Sequence, residues 1–191
     1  RTGKVLPSLT KSFELGTEMR FLKDRIGFDL TYYLDNNTNQ ILGLNVAPAS
    51  GFTTAQINAG NIQRKGWELS ISGTPVTKNN FTWTSALNFA KAESIVKELA
   101  EGLNTYLYDT QRNDFRIENQ VGKPWGQMVG RMHKVDANGK TVYTSSAGTV
   151  DYTINNNLGS MMPDFTGGFY NSLKYKGVDL SFSLDLQKGG Q

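Results

Sequence analysis

"TGGFYNSLKYKGVDLSFSLDL", residues 166–186, alternates in two runs that meet at Lys176-Gly177. Phe169, Leu173, Tyr175, Val178, Leu180, Phe182, Leu184 and Leu186 fall on one side of the alternation. Ser172, Lys174, Asp179, Ser181, Ser183 and Asp185 fall on the other. Successive side chains of a strand point to opposite faces, so the stretch predicts an amphipathic β-hairpin. The fold turns on which solvent its apolar face meets.

Four more segments carry the same period. They are Ser12 to Phe21, Ile26 to Asp35, Gly66 to Thr74 and Phe81 to Ala90; with about Asp164 to Lys176 and Val178 to Leu186 they give six strands. Within them the charged side chains fall on the polar face. "LKDR", "PVTKNN" and "KYKG" make short connections, with turns expected at Lys23-Asp24, Lys78-Asn79 and Lys176-Gly177. Between the hairpins lie two long links, Asn36 to Lys65 and Lys91 to Pro163. Within the second, Asn138-Gly139 predicts a two-residue hairpin turn. Asp136 and Asn138 have the start of a calcium loop but not its later acidic ligands. "FAKAESIVKELAEGL", Phe89 to Leu103, spaces Ile95, Val96 and Leu99 for a helical turn or two; the alternative is a strand that runs past the rim of the sheet.

Composition narrows the class. Of 191 residues 38% are hydrophobic and 11% aromatic, and Gly is abundant, which suits strands and turns rather than long helices. No apolar run reaches helix-spanning length, but a spanning strand needs only about 9–11 alternating residues. The net charge of +3 is scattered, without the basic stripe of a nucleic-acid partner. Cys is absent, so there is no disulfide framework or thiolate metal site. "RTGKVLPSLTKS" has no signal-peptide core, so an export signal is expected upstream of Arg1.

Two architectures fit an apolar and a polar face: a soluble antiparallel sandwich, and a wall of a membrane barrel. Long strands, hairpins short at one rim and long at the other, and aromatics near strand ends (Phe13, Phe21, Tyr32, Tyr33, Trp67, Phe81, Trp83, Phe165, Tyr175) favour the barrel. Gly167 and Gly168 then let the strand bend or let neighbouring rings lie across the gap, or they mark a simple bulge. The reading is all-β: an antiparallel transmembrane β-barrel segment of about six long strands, with lipid against the apolar face.

"TKSFELGTEMRFLKDRIGFDLTYY", "INAGNIQRKGWELSISGTPV", "FTWTSALNFAKAES" and "PDFTGGFYNSLKYKGVDLSFSLDLQKGG" closely resemble the C-terminal barrel of SusC/RagA-type TonB-linked outer-membrane proteins. Asn58 to Ile62 with Gly66 and Glu68, and Pro163 to Gly168, are the specific pieces. Arg64-Lys65 and Ser160-Met161-Met162 depart from the usual residues, and the resemblance is weakest over Asn104 to Asp151. It implies that residues 1–191 are part of a 22-stranded barrel in the Gram-negative outer membrane, with the plug and TonB box lying outside this chain. It further implies TonB coupling, a SusD-like surface lipoprotein partner, and an oligosaccharide or peptide cargo. The alternative function is a soluble or surface β-domain that binds without transporting.

No catalytic constellation or cofactor motif is legible. His133 is the sole histidine and is expected in an exposed loop beside the Asn-Gly turn. The candidate ligand or partner contacts are Tyr106, Tyr108, Phe115 and Trp125 in the second long link. Their rings suit stacking on the C–H faces of sugars, but they suit packing within the loop itself better.

Overall fold

A computed structural model describes residues 5–45, 51, 53–110, 115–144 and 148–190. Among these residues there is no helix. The strands are β1 (Leu9–Phe21), β2 (Ile26–Asn45), β3 (Thr54–Lys78), β4 (Phe81–Glu98), β5 (Thr105–Thr110), β6 (Arg116–Gln120), β7 (Gln127–His133), β8 (Tyr152–Ser160), β9 (Pro163–Tyr175) and β10 (Val178–Gly189). They form a six-stranded antiparallel sheet in the order β1-β2-β3-β4-β9-β10 and a four-stranded sheet in the order β5-β6-β7-β8. The six strands of the first sheet are the six alternating segments, lengthened.

Register puts the alternation on common faces. Leu15 stands opposite Tyr32 and Tyr32 opposite Trp67; Thr17, Leu30, Leu69 and Phe89 form a cross-strand row, and so do Met19, Phe28, Ile71, Leu87, Phe169 and Leu184. The other face carries Glu18 opposite Asp29, Asp29 opposite Ser70, Ser70 opposite Asn88, Asn88 opposite Gly168, and Gly168 opposite Asp185. The two sheets do not pack face to face. Leu15, Leu180, Leu184 and Leu186 remain about 60% exposed, and Phe13, Trp67 and Phe182 are exposed with them. Among the described residues the buried apolar side chains are Val96, Leu99, Met128 and Val129, all outside this belt. A sandwich would bury these rings against its second sheet; here an extended apolar surface awaits an apolar solvent. That is the construction of a membrane barrel wall.

The belt has aromatic margins. Tyr32 and Trp67 meet at 4.7 Å between ring centroids on one side; Phe81, Trp83 and Tyr175 stand on the turn side. Beyond Trp67 the outward face turns charged, with Lys65 and Glu93 paired at 3.1 Å. Val178 to Leu186 covers about 27 Å along the strand, which at the usual tilt of about 40° gives an apolar band about 20 Å tall. Phe89 and Phe165 approach to 5.5 Å beside Gly167, the partner of Phe89 across the ladder. Pairing runs unbroken through Gly167-Gly168 on both sides, so the glycines mark a gap closed by rings rather than a bulge.

Parity also places Asn171 in this belt, opposite Ser85 and Phe182. It is 3% exposed, and its Oδ1 accepts a hydrogen bond from Trp83 Nε1 at 3.0 Å. An amide facing hydrocarbon is costly unless bonded; the indole N–H satisfies the Asn171 Oδ1, while the buried Nδ2 has no partner among the described residues. Trp83→Phe keeps a ring but removes the donor. It is expected to cost about 1–3 kcal/mol in a bilayer-folding titration of the full-length protein; an unchanged midpoint would contradict this role.

The short turns share one rim. Asn79-Asn80, with φ of 51° and 67°, and Lys176-Gly177, with 47° and 86°, are the paired left-handed turns that match strand twist. The β3–β4 turn is thus one residue later than Lys78-Asn79, because Lys78 still pairs with Phe81. Arg25 donates to the carbonyls of Thr74 and Pro75, tying the β1–β2 turn to the bulge that accommodates Pro75.

The long links differ from expectation. Most of Asn36 to Lys65 is strand, paired continuously from Asp35–Arg64 to Thr38–Asn61 and again from Gln40–Ala59 to Asn45–Thr54; residues 46–50 and 52 lie outside the described residues. Phe89 to Glu98 is strand rather than helix, because β3 offers it a ladder to Asn61, and a turn follows at Glu101-Gly102. At Asn138-Gly139 the loop has three residues, 137–139. Asp136 N–H donates to Lys140 O, and Asp136 Oδ1 accepts from Asn138 N–H and Lys140 N–H. Gly139 takes φ 76°, the left-handed position that closes a three-residue hairpin.

Candidate functional site: the concave face and the distal sheet

The polar face lines a concavity of about 650 Å³. Asp29, Glu68, Asn88, Thr166, Asp185 and Gln187 contribute to it, oxygen and amide groups from five strands. Among the described residues Asp29, Glu68 and Asp185 form no ion pair, whereas Glu18 is bound by Arg20 at 2.7 Å. Further from the turns, Tyr33 lies across Gly66: a Cβ there would stand 2.5 Å from the phenol oxygen, and Arg64 covers the ring at 5.5 Å. A wall of this kind can hydrogen-bond whatever fills the space it faces.

Beyond the belt the strands bend at one level. Thr38 pairs with Asn61 and Gln40 with Ala59, leaving Asn39 and Gly60 face to face, both left-handed at φ 57° and 72°. In β4 an extra residue falls between Val96 and Glu98 at the same level. A Cβ on Gly60 would overlap the carbonyl oxygen of Glu98. Asn58 uses its amide in both directions: Nδ2 donates to Leu6 O at 2.7 Å and Asn39 O at 2.8 Å, and Oδ1 accepts Leu6 N–H at 2.6 Å. Asn58 to Ile62 is therefore a bending device that also holds the segment ahead of β1.

The bend seats the four-stranded sheet. Its β6–β7 connection adds to the end of β4: Val96 N–H donates to Lys123 O, Gly122 N–H to Val96 O and Trp125 N–H to Ser94 O. Val96 is fully buried there, with Leu99, Met128 and Val129 also in the small core. Asn119, also fully buried, accepts Gly126 N–H at 2.7 Å. Ser160 Oγ donates to Trp125 O at 3.1 Å, so Ser160-Met161-Met162 locks the return to β9. At the tip, Lys134 and Asp151 pair at 3.0 Å. That bond, with Tyr152 N–H, holds the Asp151 carboxyl below the usual carboxylate range.

Tyr108 and Trp125 come together, edge to face at 5.8 Å, with Tyr108 exposed. The other two rings go elsewhere. Tyr106 Oη donates to Gly43 O at 3.4 Å, fastening β5 to the end of β2. Phe115 lies over Gly130, whose Cβ would be 3.4 Å from its ring. His133 closes β7, paired with Tyr152, rather than lying in a loop. The sequence singled out Asn58 to Ile62 by resemblance but not the hydrogen bonds of Asn58, and it passed over Asn171, which was signalled by a polar residue out of phase with its run.

Comparison with known proteins gives a consistent picture. A family model described as TonB dependent receptor-like, beta-barrel matches residues 4–187. TonB-dependent receptor P26 of Formosa agariphila is 26% identical over 95% of this chain and 20% of its own length. TonB-dependent receptor SusC of Bacteroides thetaiotaomicron is 22% identical over 92% of this chain and 19% of its own. The chain thus spans about a fifth of the length of these relatives. Among solved structures, the RagAB peptide importer in its closed-closed state superposes with a TM-score of 0.70 at 19% identity, over 94% of this chain and 21% of that one. The shared feature is the fold.

Proposed function

The chain belongs to the TonB-dependent receptor-like β-barrel family, and on that premise we propose that it is part of the C-terminal barrel of an outer-membrane importer of oligosaccharides. The observation that carries this reading is the pairing of a solvent-exposed apolar belt on one face with the carboxylate- and amide-lined concavity on the other. Lipid meets the belt, and the lumen, with a plug supplied by chain beyond these residues, meets the concavity. The short turns lie on the periplasmic rim. The bent strand ends and the four-stranded sheet face the exterior, where a SusD-like lipoprotein would cover the mouth. TonB supplies the energy through a segment outside this chain.

Tyr108 and Trp125 are the proposed ligand contacts, since crossed rings present an apolar face beside free hydroxyl chemistry, as sugars require. Tyr108→Ala is expected to weaken oligosaccharide binding about three- to tenfold, measured by titration of the full-length protein; unchanged affinity would remove the assignment. RagAB, described as a peptide importer, makes peptide the competing cargo. The deciding experiment is uptake of labelled oligosaccharides and peptides by cells carrying the full-length gene, with and without the proton gradient. Gradient-dependent oligosaccharide uptake is expected; gradient-independent uptake would leave a passive porin, and uptake of peptide alone would change the cargo.

A further inference from the structure

The ladder between β4 and β9 ends at Ala90–Thr166. Above it β4 continues along β3 to Glu98, while β9 extends only to Pro163. The strands part around a cleft of about 510 Å³, bounded by Pro124, Trp125, Ser160 and Met162 of the distal sheet and its return. Two lysines line it from the outward face. Lys91 shares its parity with Phe89 and stands opposite Trp67; Lys188 shares its parity with Leu186 and stands opposite Phe165. Both lie level with the aromatic margin, where hydrocarbon gives way to headgroups. Among the described residues neither makes an ion pair. Glu93, the outward carboxylate of the lining, is taken by Lys65 at 3.1 Å; Asp164, the other carboxylate, is on the inward parity next to Phe165.

We infer that this cleft binds the phosphate-bearing headgroup of an outer-leaflet glycolipid. The inference rests on the membrane orientation proposed above. Lysine stems lie along apolar surface while their ammonium groups reach into the polar layer, and an ammonium is a strong donor to phosphate oxygen. The Lys91 and Lys188 amines take the phosphate from the open side of the cleft. The acyl chains lie over Phe89, Phe169 and Leu186 below it, and the ring of Trp125 walls the sugar from above. The break in the ladder has a use on this account: it opens a notch of headgroup size at headgroup height in a wall otherwise continuous.

The test uses full-length protein, delipidated in detergent and titrated with bisphosphorylated lipid A, the dephosphorylated glycolipid and inorganic phosphate, with bound mass read by native mass spectrometry. Lys91→Gln with Lys188→Gln is expected to weaken lipid A binding about thirtyfold, about fivefold for each amine near a charged lipid surface. Lys23→Gln with Lys176→Gln, the same charge change at the opposite rim, is expected to leave it unchanged. The dephosphorylated glycolipid should bind no better to wild type than to the Lys91/Lys188 variant. Equal weakening by both double variants, equal binding of the dephosphorylated lipid, or saturation by free phosphate at the same concentration as lipid A would each overturn the site. A wild-type protein that lacks heat-modifiable mobility in detergent would instead overturn the barrel reading beneath it.

Discussion

Leu30→Arg in the full-length protein is expected to lower folding stability by about 2–4 kcal/mol, and Thr31→Arg by distinctly less. Leu30 lies between Thr17 and Leu69 in the apolar belt, at the centre of the outward run Ile26, Phe28, Leu30, Tyr32 and Leu34 of β2. A guanidinium there meets hydrocarbon, too far from either interface for its stem to escape cheaply. Thr31 is its neighbour in sequence but stands on the concave face, opposite Gly16 and Glu68. An arginine at Thr31 therefore finds space, a carboxylate and a hydrated lumen. The comparison keeps backbone position constant and changes only the face. Reversible folding into bilayers of defined thickness measures both; equal losses would contradict the face assignment.

Gly60→Val is expected to cost more than about 3 kcal/mol, and to release the four-stranded sheet while sparing the belt. A β-branched residue at φ 72° carries a left-handed penalty of about 1–2 kcal/mol. Its Cβ would also overlap the Glu98 carbonyl, which is backbone and has no rotamer to yield. The strand must straighten or part from β4, and the seat formed around Val96 goes with it. Limited proteolysis should cut the variant between β4 and β9 far faster than wild type, with heat-modifiable mobility retained. Wild-type resistance would show that the bend is not held by Gly60.

The belt was legible because period two, charge placement and turn residues agreed. Lys176-Gly177 is both a sequence signal and a left-handed turn in the fold. The six-stranded register follows from the same alternation, since a slip of one residue would turn Phe182 inward and Asp185 toward lipid. The distal region was less legible. Beyond Asp35 and Ala90 the strands run past the apolar belt, and the alternation that marks a strand is lost. Ile95, Val96 and Leu99 carry helical spacing, yet the ladder offered by β3 and the β6–β7 connection decides their conformation. Of the four aromatics, none carries in sequence what separates the Tyr108–Trp125 pair from Tyr106 and Phe115. That depends on the three-dimensional path of the distal sheet.

The chain contains no cysteine, which makes the face assignment directly measurable. Single cysteines placed at each residue from Val178 to Leu186 of the full-length protein, with cysteines elsewhere removed, can carry a spin label in reconstituted bilayers. Relaxation by oxygen, which concentrates in hydrocarbon, is then compared with relaxation by a water-soluble nickel chelate. The account predicts an oxygen accessibility that alternates with period two: high at Val178, Leu180, Phe182, Leu184 and Leu186, low at Asp179, Ser181, Ser183 and Asp185. A flat profile, or one with the phases exchanged, would contradict a barrel wall with this face in lipid.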